Sequence, residues 1–157
     1  MPVSGNAVYF EDCAVGDQHR SIAMIVDKSE IIEFATKWDP QPWHIDEDLA
    51  KQSLFGGLTA CSAHIFSLFC VVSQQWENGE QQQVLCSLGF DEMRMHKPLY
   101  AGDRVYCRNT IELARDSRSR SDRGIVAARC ELINQNEEAV FSILSTFLMA
   151  KKLPASQ

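Results

Sequence analysis

The sequence is short of positive charge: 15 Lys and Arg stand against 21 Asp and Glu in 157 residues, a net charge of −6. A nucleic-acid partner, which calls for a basic excess, is therefore not expected. An anionic ligand needs only a local basic patch and stays open. The six cysteines, at 13, 61, 70, 86, 107 and 130, include no C-x-x-C pair and no clustered Cys/His spacing. That removes the usual zinc signatures, so no metal is expected, and it speaks against a disulfide framework of the kind short secreted chains carry. The cysteines are expected to be reduced, small, buried hydrophobes. Met1 to Asn6 lack a basic segment followed by an apolar run. No signal peptide is read there, and the expected location is cytoplasmic. Residues 58–76 carry no Asp, Glu, Lys or Arg, but Ser62, Ser67, Ser73, Gln74 and Gln75 interrupt the apolar run. A membrane span is thus not expected. The composition is otherwise that of a globular protein, 45% apolar and 23% charged, and the length suits one domain over residues 1–157.

What the sequence does have is one proline-stiffened stretch that carries an acid and a base. Asp39 and His44 lie five positions apart, with Pro40 and Pro42 between them. Both prolines lack a backbone N–H, and they push Asp39 and Gln41 into extended conformations. A helix through 39–43 is not expected. Five extended residues span roughly 17 Å, so the loop must curl if both side chains are to reach one water. Gly56-Gly57 follow, and then the long apolar run. Glycine beside a helix start lets a ligand approach bare backbone N–H groups. On spacing alone, Asp39 and His44 also read as a loop cap and a surface histidine.

In chain order, residues 1–17 read as irregular, with a turn at Gly16-Asp17, and 18–26 read as a strand. Asp27 with Glu30 signals a capped helix start. Ile31, Phe34, Ala35 and Trp38 mark one helical face, and the helix ends at Asp39. Asp46 reads as the N-cap of a short helix to about Ser53. Residues 58–76, apolar on most sides, read as a buried central helix that Asn78-Gly79 ends. Four strand-like segments follow: 82–97, 104–114, 124–133 and 138–150. The first switches phase near Asp91-Glu92, which predicts a bulge or a bend. The last is apolar on both parities and is expected in the sheet interior. Arg115 to Gly124 reads as a polar hairpin loop whose four arginines either grip phosphate or form a solvated tip. One apolar helix and one sheet give an α+β arrangement, with the sheet curled round the helix.

The stretch Asp39-Pro-Gln-Pro-Trp-His44-Ile-Asp46, set between two helices, resembles the hydratase motif of the MaoC-like dehydratases. This family has the hot-dog fold and includes R-specific enoyl-CoA hydratases. Asp39, Pro42, His44 and Asp46 match its Gly-Asp-x-Asn-Pro-(aliphatic)-His-x-Asp pattern. Trp38, Gln41 and Trp43 depart from it. Phe10-Glu11-Asp12 to Gly16-Asp17, Phe55 to Leu58, and Lys97-Pro98 to Gly102-Asp103 match as well, so the resemblance spans about residues 8–150. It implies a hot-dog homodimer, or a dimer of dimers, with an acyl-CoA tunnel at the subunit boundary and no cofactor. It also implies interconversion of a trans-2-enoyl-CoA and a 3-hydroxyacyl-CoA in fatty acid metabolism.

In that scheme the backbone N–H of Gly57, at the start of the central helix, polarises the thioester oxygen, and Asp39 and His44 hold the reacting water. A carboxylate is a better base where water is excluded from it, a role expected of Phe55, Trp38 and Trp43. Ser62 is the candidate for the family's hydroxyl residue early in the central helix. Phe55, Trp43, Gly57 and Ser62 are the substrate-binding candidates. Arg94, Lys97 and Arg104 are the cations available for CoA phosphates. His64 reads as a buried helix histidine and Asp46 as a cap. Two rivals stand beside this reading. One is a hot-dog thioesterase, which would place a carboxylate on or beside the central helix. The other is a non-catalytic acyl-CoA-binding subunit, which would not need both Asp39 and His44.

Overall fold

Local signals set the helices of the first half. The computed structural model of the protein describes residues 6–154, and the irregular chain expected over residues 1–5 lies outside them. Strand β1 (Ala7–Val8) and a 3-10 turn (Phe10–Asp12) come first, so the region up to residue 17 is less irregular than expected. Next are β2 (Gln18–Arg20) and β3 (Met24–Ile25), two short strands where one was expected over 18–26. They part because Ser21 leaves the ladder regularity: its N–H bonds Cys107 O at 2.9 Å, and its hydroxyl accepts the Cys107 N–H at 2.7 Å.

Helix α1 (Lys28–Trp38) starts where Asp27 accepts the Glu30 N–H at 2.9 Å. It buries Ile31 and Ala35, while Trp38 is 64% exposed and does not join the apolar face. The helix stops at Asp39, with Pro40 next in line. Pro42 corrects the expectation for this loop. It begins a one-turn helix, α2 (Pro42–Ile45), because the first helical position needs no N–H donor. Helix α3 (Glu47–Gln52) follows, with Asp46 accepting from the N–H groups of Asp48 and Leu49.

The central helix α4 (Ser62–Val72) is shorter than the expected 58–76, at eleven residues and about 16 Å. Both of its ends are drawn away by pairing elsewhere. The Ala60 N–H bonds Leu99 O, the Ala101 N–H bonds Leu58 O, and Thr59 bridges Tyr100. After the helix, Ile22 N–H bonds Gln75 O, Glu77 N–H bonds Arg20 O, and Ser21 bridges Trp76. Gly57 therefore lies five residues before the helix rather than at its start.

The remaining strands are β4 (Gln81–Gln82), β5 (Val84–Met95), β6 (Arg104–Asp116), β7 (Arg123–Ile133) and β8 (Ala139–Ala150). The antiparallel sheet runs β2-β6-β7-β8-β5, with β3 also on β6 and a separate parallel pair of β1 and β4. β8 lies inside the sheet, as its two-sided apolar pattern predicts. The predicted irregularity is a bulge: the β5–β8 register shifts between Asp91 and Arg94, and Glu92 has φ 52°. At the β6–β7 hairpin, Arg120 and Arg123 both pair with Asp122 in an exposed turn.

The inner face of this sheet receives Ile65, Leu68, Phe69 and Val72 of α4, all at 4% exposure or less. Each such side chain stabilises the fold by roughly 1.5–3 kcal/mol. The opposite side of α4 is open, with Val71 46% exposed, so the helix is not buried all round. Only Cys61, Cys107 and Cys130 are buried, Cys86 is exposed, and all six cysteines are free. Among the described residues no helix is long and apolar enough to cross a membrane.

His64, in the first turn of α4, is 2% exposed, and both of its ring nitrogens lack a hydrogen-bond partner. Its ring stacks on Phe34 at 4.7 Å, and the Glu30 carboxylate stands 3.8 Å from Nε2, beyond hydrogen-bonding range. Burial pushes the His64 pKa below its ordinary 6.5, against the pull of Glu30. The unfolded chain then binds this proton more readily than the folded one. The stability is fully present above pH 6.5 and is lost as pH falls below it. Urea unfolding should give a lower stability at acidic than at neutral pH, and His64→Leu should flatten that dependence. An unchanged slope in the variant assigns the dependence to other groups.

Candidate functional site

The loop between α1 and α4 is held by its own turns, and it delivers His44 to the interior. His44 is buried on α2. Its Nδ1 lies 2.7 Å from Thr59 O, and the Trp43 indole Nε1–H donates to Nε2 at 3.1 Å. An indole nitrogen only donates, so Nε2 is the acceptor and Nδ1 carries the proton. Two neighbours thus fix one tautomer, with a lone pair on Nε2. The Phe55 ring stacks at 6.5 Å from the imidazole. Phe55 is held in turn by Tyr100, whose hydroxyl donates to Phe55 O at 2.7 Å.

A cavity of about 250 Å³ opens beside this imidazole. His44, Phe55, Thr59 and Ser62 line one side, and Met95, His96, Lys97 and Pro98 line the other. The N-terminus of α4 faces it. Cys61 caps that end without a side-chain hydrogen bond, so the first N–H groups have no partner within the helix and carry its partial positive charge. The Cys61 thiol is pushed up by burial and, to a lesser degree, by the Asp39 charge, although the His64 and Ala63 N–H groups favour its thiolate. The Asp39 carboxylate therefore lies within electrostatic reach of the same helix end.

Asp39 is half-buried at the end of α1. Its carboxylate makes no hydrogen bond among the described residues, and none links it to His44. Phe55, Ser62 and His44 share the cavity; Trp43 touches it through the imidazole. Gly57 sits outside. A Cβ there would stand 3.6 Å from the Tyr100 ring, an ordinary contact, whereas Gly56 has φ +68°, which favours glycine. Trp38, expected to keep water from Asp39, is too exposed for that role in the single chain.

Six lining residues, Thr59, Ala60, Ile65, Met95, His96 and Pro98, were not anticipated as site components. Thr59 acts through its backbone carbonyl, which no side-chain pattern reveals. His96 hydrogen-bonds Ser142 Oγ at 2.7 Å, and Met95 precedes it at the end of β5. Lys97, a candidate for CoA phosphate, does reach the cavity, but its ammonium is paired with Glu138. Arg94 instead bonds the Met93 carbonyl at 2.8 Å. Among the described residues, no three His, Cys, Asp or Glu side chains gather as a metal centre would need.

Residues 13–131 match the family model described as the MaoC like domain. A MaoC-like dehydratase from Rhodospirillum rubrum is 29% identical, with 94% of this chain and 99% of that one covered, at a TM-score of 0.84. The (R)-hydratase of A. caviae involved in PHA biosynthesis shares the fold at 20% identity and a TM-score of 0.68, over 92% of this chain and 99% of its own. A double hot-dog protein of Mycobacterium tuberculosis covers 96% of this chain with 46% of its own length, at 17% identity and a TM-score of 0.74. The curled antiparallel sheet, the helix packed on its inner face and the match over residues 13–131 agree: the chain belongs to the MaoC-like domain family of hot-dog proteins.

Proposed function

We propose that the protein is a hydratase or dehydratase that interconverts a trans-2-enoyl thioester, such as an enoyl-CoA, and its 3-hydroxyacyl form. The observation that carries this reading is the tautomer-fixed His44, set beside a cavity at the open N-terminus of α4. The thioester oxygen lies against the first N–H groups of that helix. Gly57, which precedes the helix, is less suited to this task than Ser62 and Ala63. The helix end favours the enolate-like state over the neutral ground state, and that difference lowers the barrier. A water takes the place of the Trp43 N–H at His44 Nε2 and is shared with Asp39. As its oxygen bonds C3, the acid–base pair takes one of its protons. The double-bond electrons pass to the thioester oxygen, and C2 then accepts a proton from the pair. One hydrogen and one hydroxyl have been added. Dehydration is the same path reversed, and no cofactor enters.

A hot-dog thioesterase would need a carboxylate on or beside the central helix, and α4 (Ser62–Val72) carries no Asp or Glu. A binding subunit has no use for an acid and a tautomer-fixed base. Loss of the enoyl thioester absorbance without thiol release supports the hydratase. Thiol release supports the thioesterase, and neither signal supports binding alone.

The oligomer belongs to the same reading. Among the described residues β5 pairs only with β8, and it exposes Val84, Leu85, Leu88, Phe90, Met93 and Met95 along its length. A long apolar edge strand of this kind calls for cover, and a second copy paired about a twofold axis supplies it. The described residues act as one hot-dog unit in that dimer.

Three outcomes are expected. Asp39→Asn and His44→Gln should each lower hydration by roughly 10²–10⁴, with the double variant little worse than the poorer single; full activity in either single removes the pair from catalysis. Ser62→Pro should keep the helix, because proline is tolerated at its first position and Cys61 is already extended. It should cost about 10²–10³ in turnover that Ser62→Ala does not; equal turnover in the two moves the oxyanion donor elsewhere. Light scattering should give at least twice the 17.7 kDa chain mass, and a strict monomer would refute the dimer.

A further inference from the structure

A second cavity, of about 570 Å³, lies under the C-terminal end of α4. Phe69, Trp76, Phe90 and Phe147 give it an aromatic wall, and its polar lining runs from the exposed Gln74, Gln81 and Ser87 to the buried Asn109 and Ser145. Asn109 is 3% exposed in the middle of β6, opposite His19 on β2 and Cys130 on β7. Among the described residues its Nδ2 reaches only the Cys130 sulfur, at 3.8 Å, and its Oδ1 has no partner. The neighbouring His19 Nδ1 is also unpartnered, so the strip does not satisfy itself. A buried acceptor left without a donor costs about 1–3 kcal/mol. Such a group needs a partner that arrives from outside the chain.

The surroundings restrict what that partner is. No Lys, Arg, Asp or Glu lines the cavity. The charge beside His19 is the Glu80 carboxylate, 3.6 Å from Nε2, and the C-terminal end of α4 adds partial negative charge. A carboxylate would be desolvated here with no cation to meet it. An alkyl end would fill the aromatic walls but leave Asn109 Oδ1 bare. A neutral group with a hydrogen to donate satisfies both.

The two cavities share two walls. Ser62 and Ile65 of α4 and Met95 of β5 line the first; Phe69 of α4 and Phe90 of β5 line the second. From Ser62 to Phe69 the helix rises roughly 10 Å. Between them Phe66 meets Phe90 edge to face at 5.1 Å. We propose that the second cavity receives the far end of the thioester's acyl chain and selects ends that carry an uncharged hydroxyl, which donates to Asn109 Oδ1. This rests on the hydratase reading and names its substrate class: neutral, distally hydroxylated acyl thioesters.

The test is a panel of eight-carbon trans-2-enoyl-CoA thioesters ending in methyl, hydroxymethyl or carboxylate. The hydroxylated chain should exceed the methyl chain in kcat/KM by about tenfold, with the carboxylate the poorest. Asn109→Leu should erase the preference for hydroxyl. Equal kcat/KM across the three ends, or a preference that survives Asn109→Leu in a folded variant, overturns the proposal. If no thioester is hydrated, the hydratase reading fails and binding decides the cavity separately. The Asn109 side-chain amide signal of the wild-type protein, assigned by through-bond NMR, is followed with saturated 8-hydroxyoctanoyl-CoA and with octanoyl-CoA. A shift with the hydroxylated ligand alone supports the proposal. No shift, or the same shift with both, overturns it. This readout needs no variant, so a poorly folding Asn109→Leu does not block it.

Discussion

The short pairing between residues 58–60 and 99–101 governs the site. By taking Ala60 N–H and Leu58 O into bonds with Leu99 and Ala101, it forbids the apolar run from becoming helical before Ser62. The same extended segment turns Thr59 O toward His44 Nδ1. One backbone arrangement thus sets where the positive end of α4 opens and which imidazole nitrogen keeps its lone pair. Satisfying a few backbone groups decides both, because an unpaired buried backbone group costs as much as a lost hydrogen bond.

The other end of α4 is treated in the same way. Residues 75–77 leave the helix to pair with the chain around Ser21. A helix of eleven residues is too short to fill the curl of a sheet whose main strands run to 13 residues. The space left over is divided between a small cavity at the N-terminal end and a larger one at the C-terminal end. Phe66, Phe69, Phe90 and Phe141 pack between sheet and helix along the middle. Asn109 and Ser145 are the buried polar residues that line the larger cavity.

Trp43 marks this chain off from the motif it resembles. Where the pattern has an aliphatic residue, an indole N–H sits on His44 Nε2. That contact occupies the Nε2 lone pair, so a ligand that bonds Nε2 must displace the indole.

The sequence by itself determined the features that rest on neighbours in the chain. Asp27 and Asp46 cap helices through bonds to residues two or three positions on, and period-2 patterning over β6 and β7 follows from the pleat. The irregularity at Glu92 was legible as a bulge or a bend because apolar parity switches phase there, and the register decides for the bulge. Asp39 and His44 were legible as an acid and a base on one loop, but their separation was not: no direct bond joins them. Only the tertiary structure decided where α4 begins and ends, since residues distant in sequence compete for the same backbone groups. It alone revealed the Thr59 carbonyl and the Trp43 N–H as the groups that fix His44. Asn109 shares the apolar parity of Val105, Cys107 and Ile111 on β6, but only the tertiary structure showed that its acceptor lacks a partner among the described residues, because partnership depends on strands up to 90 residues away in the chain, His19 among them.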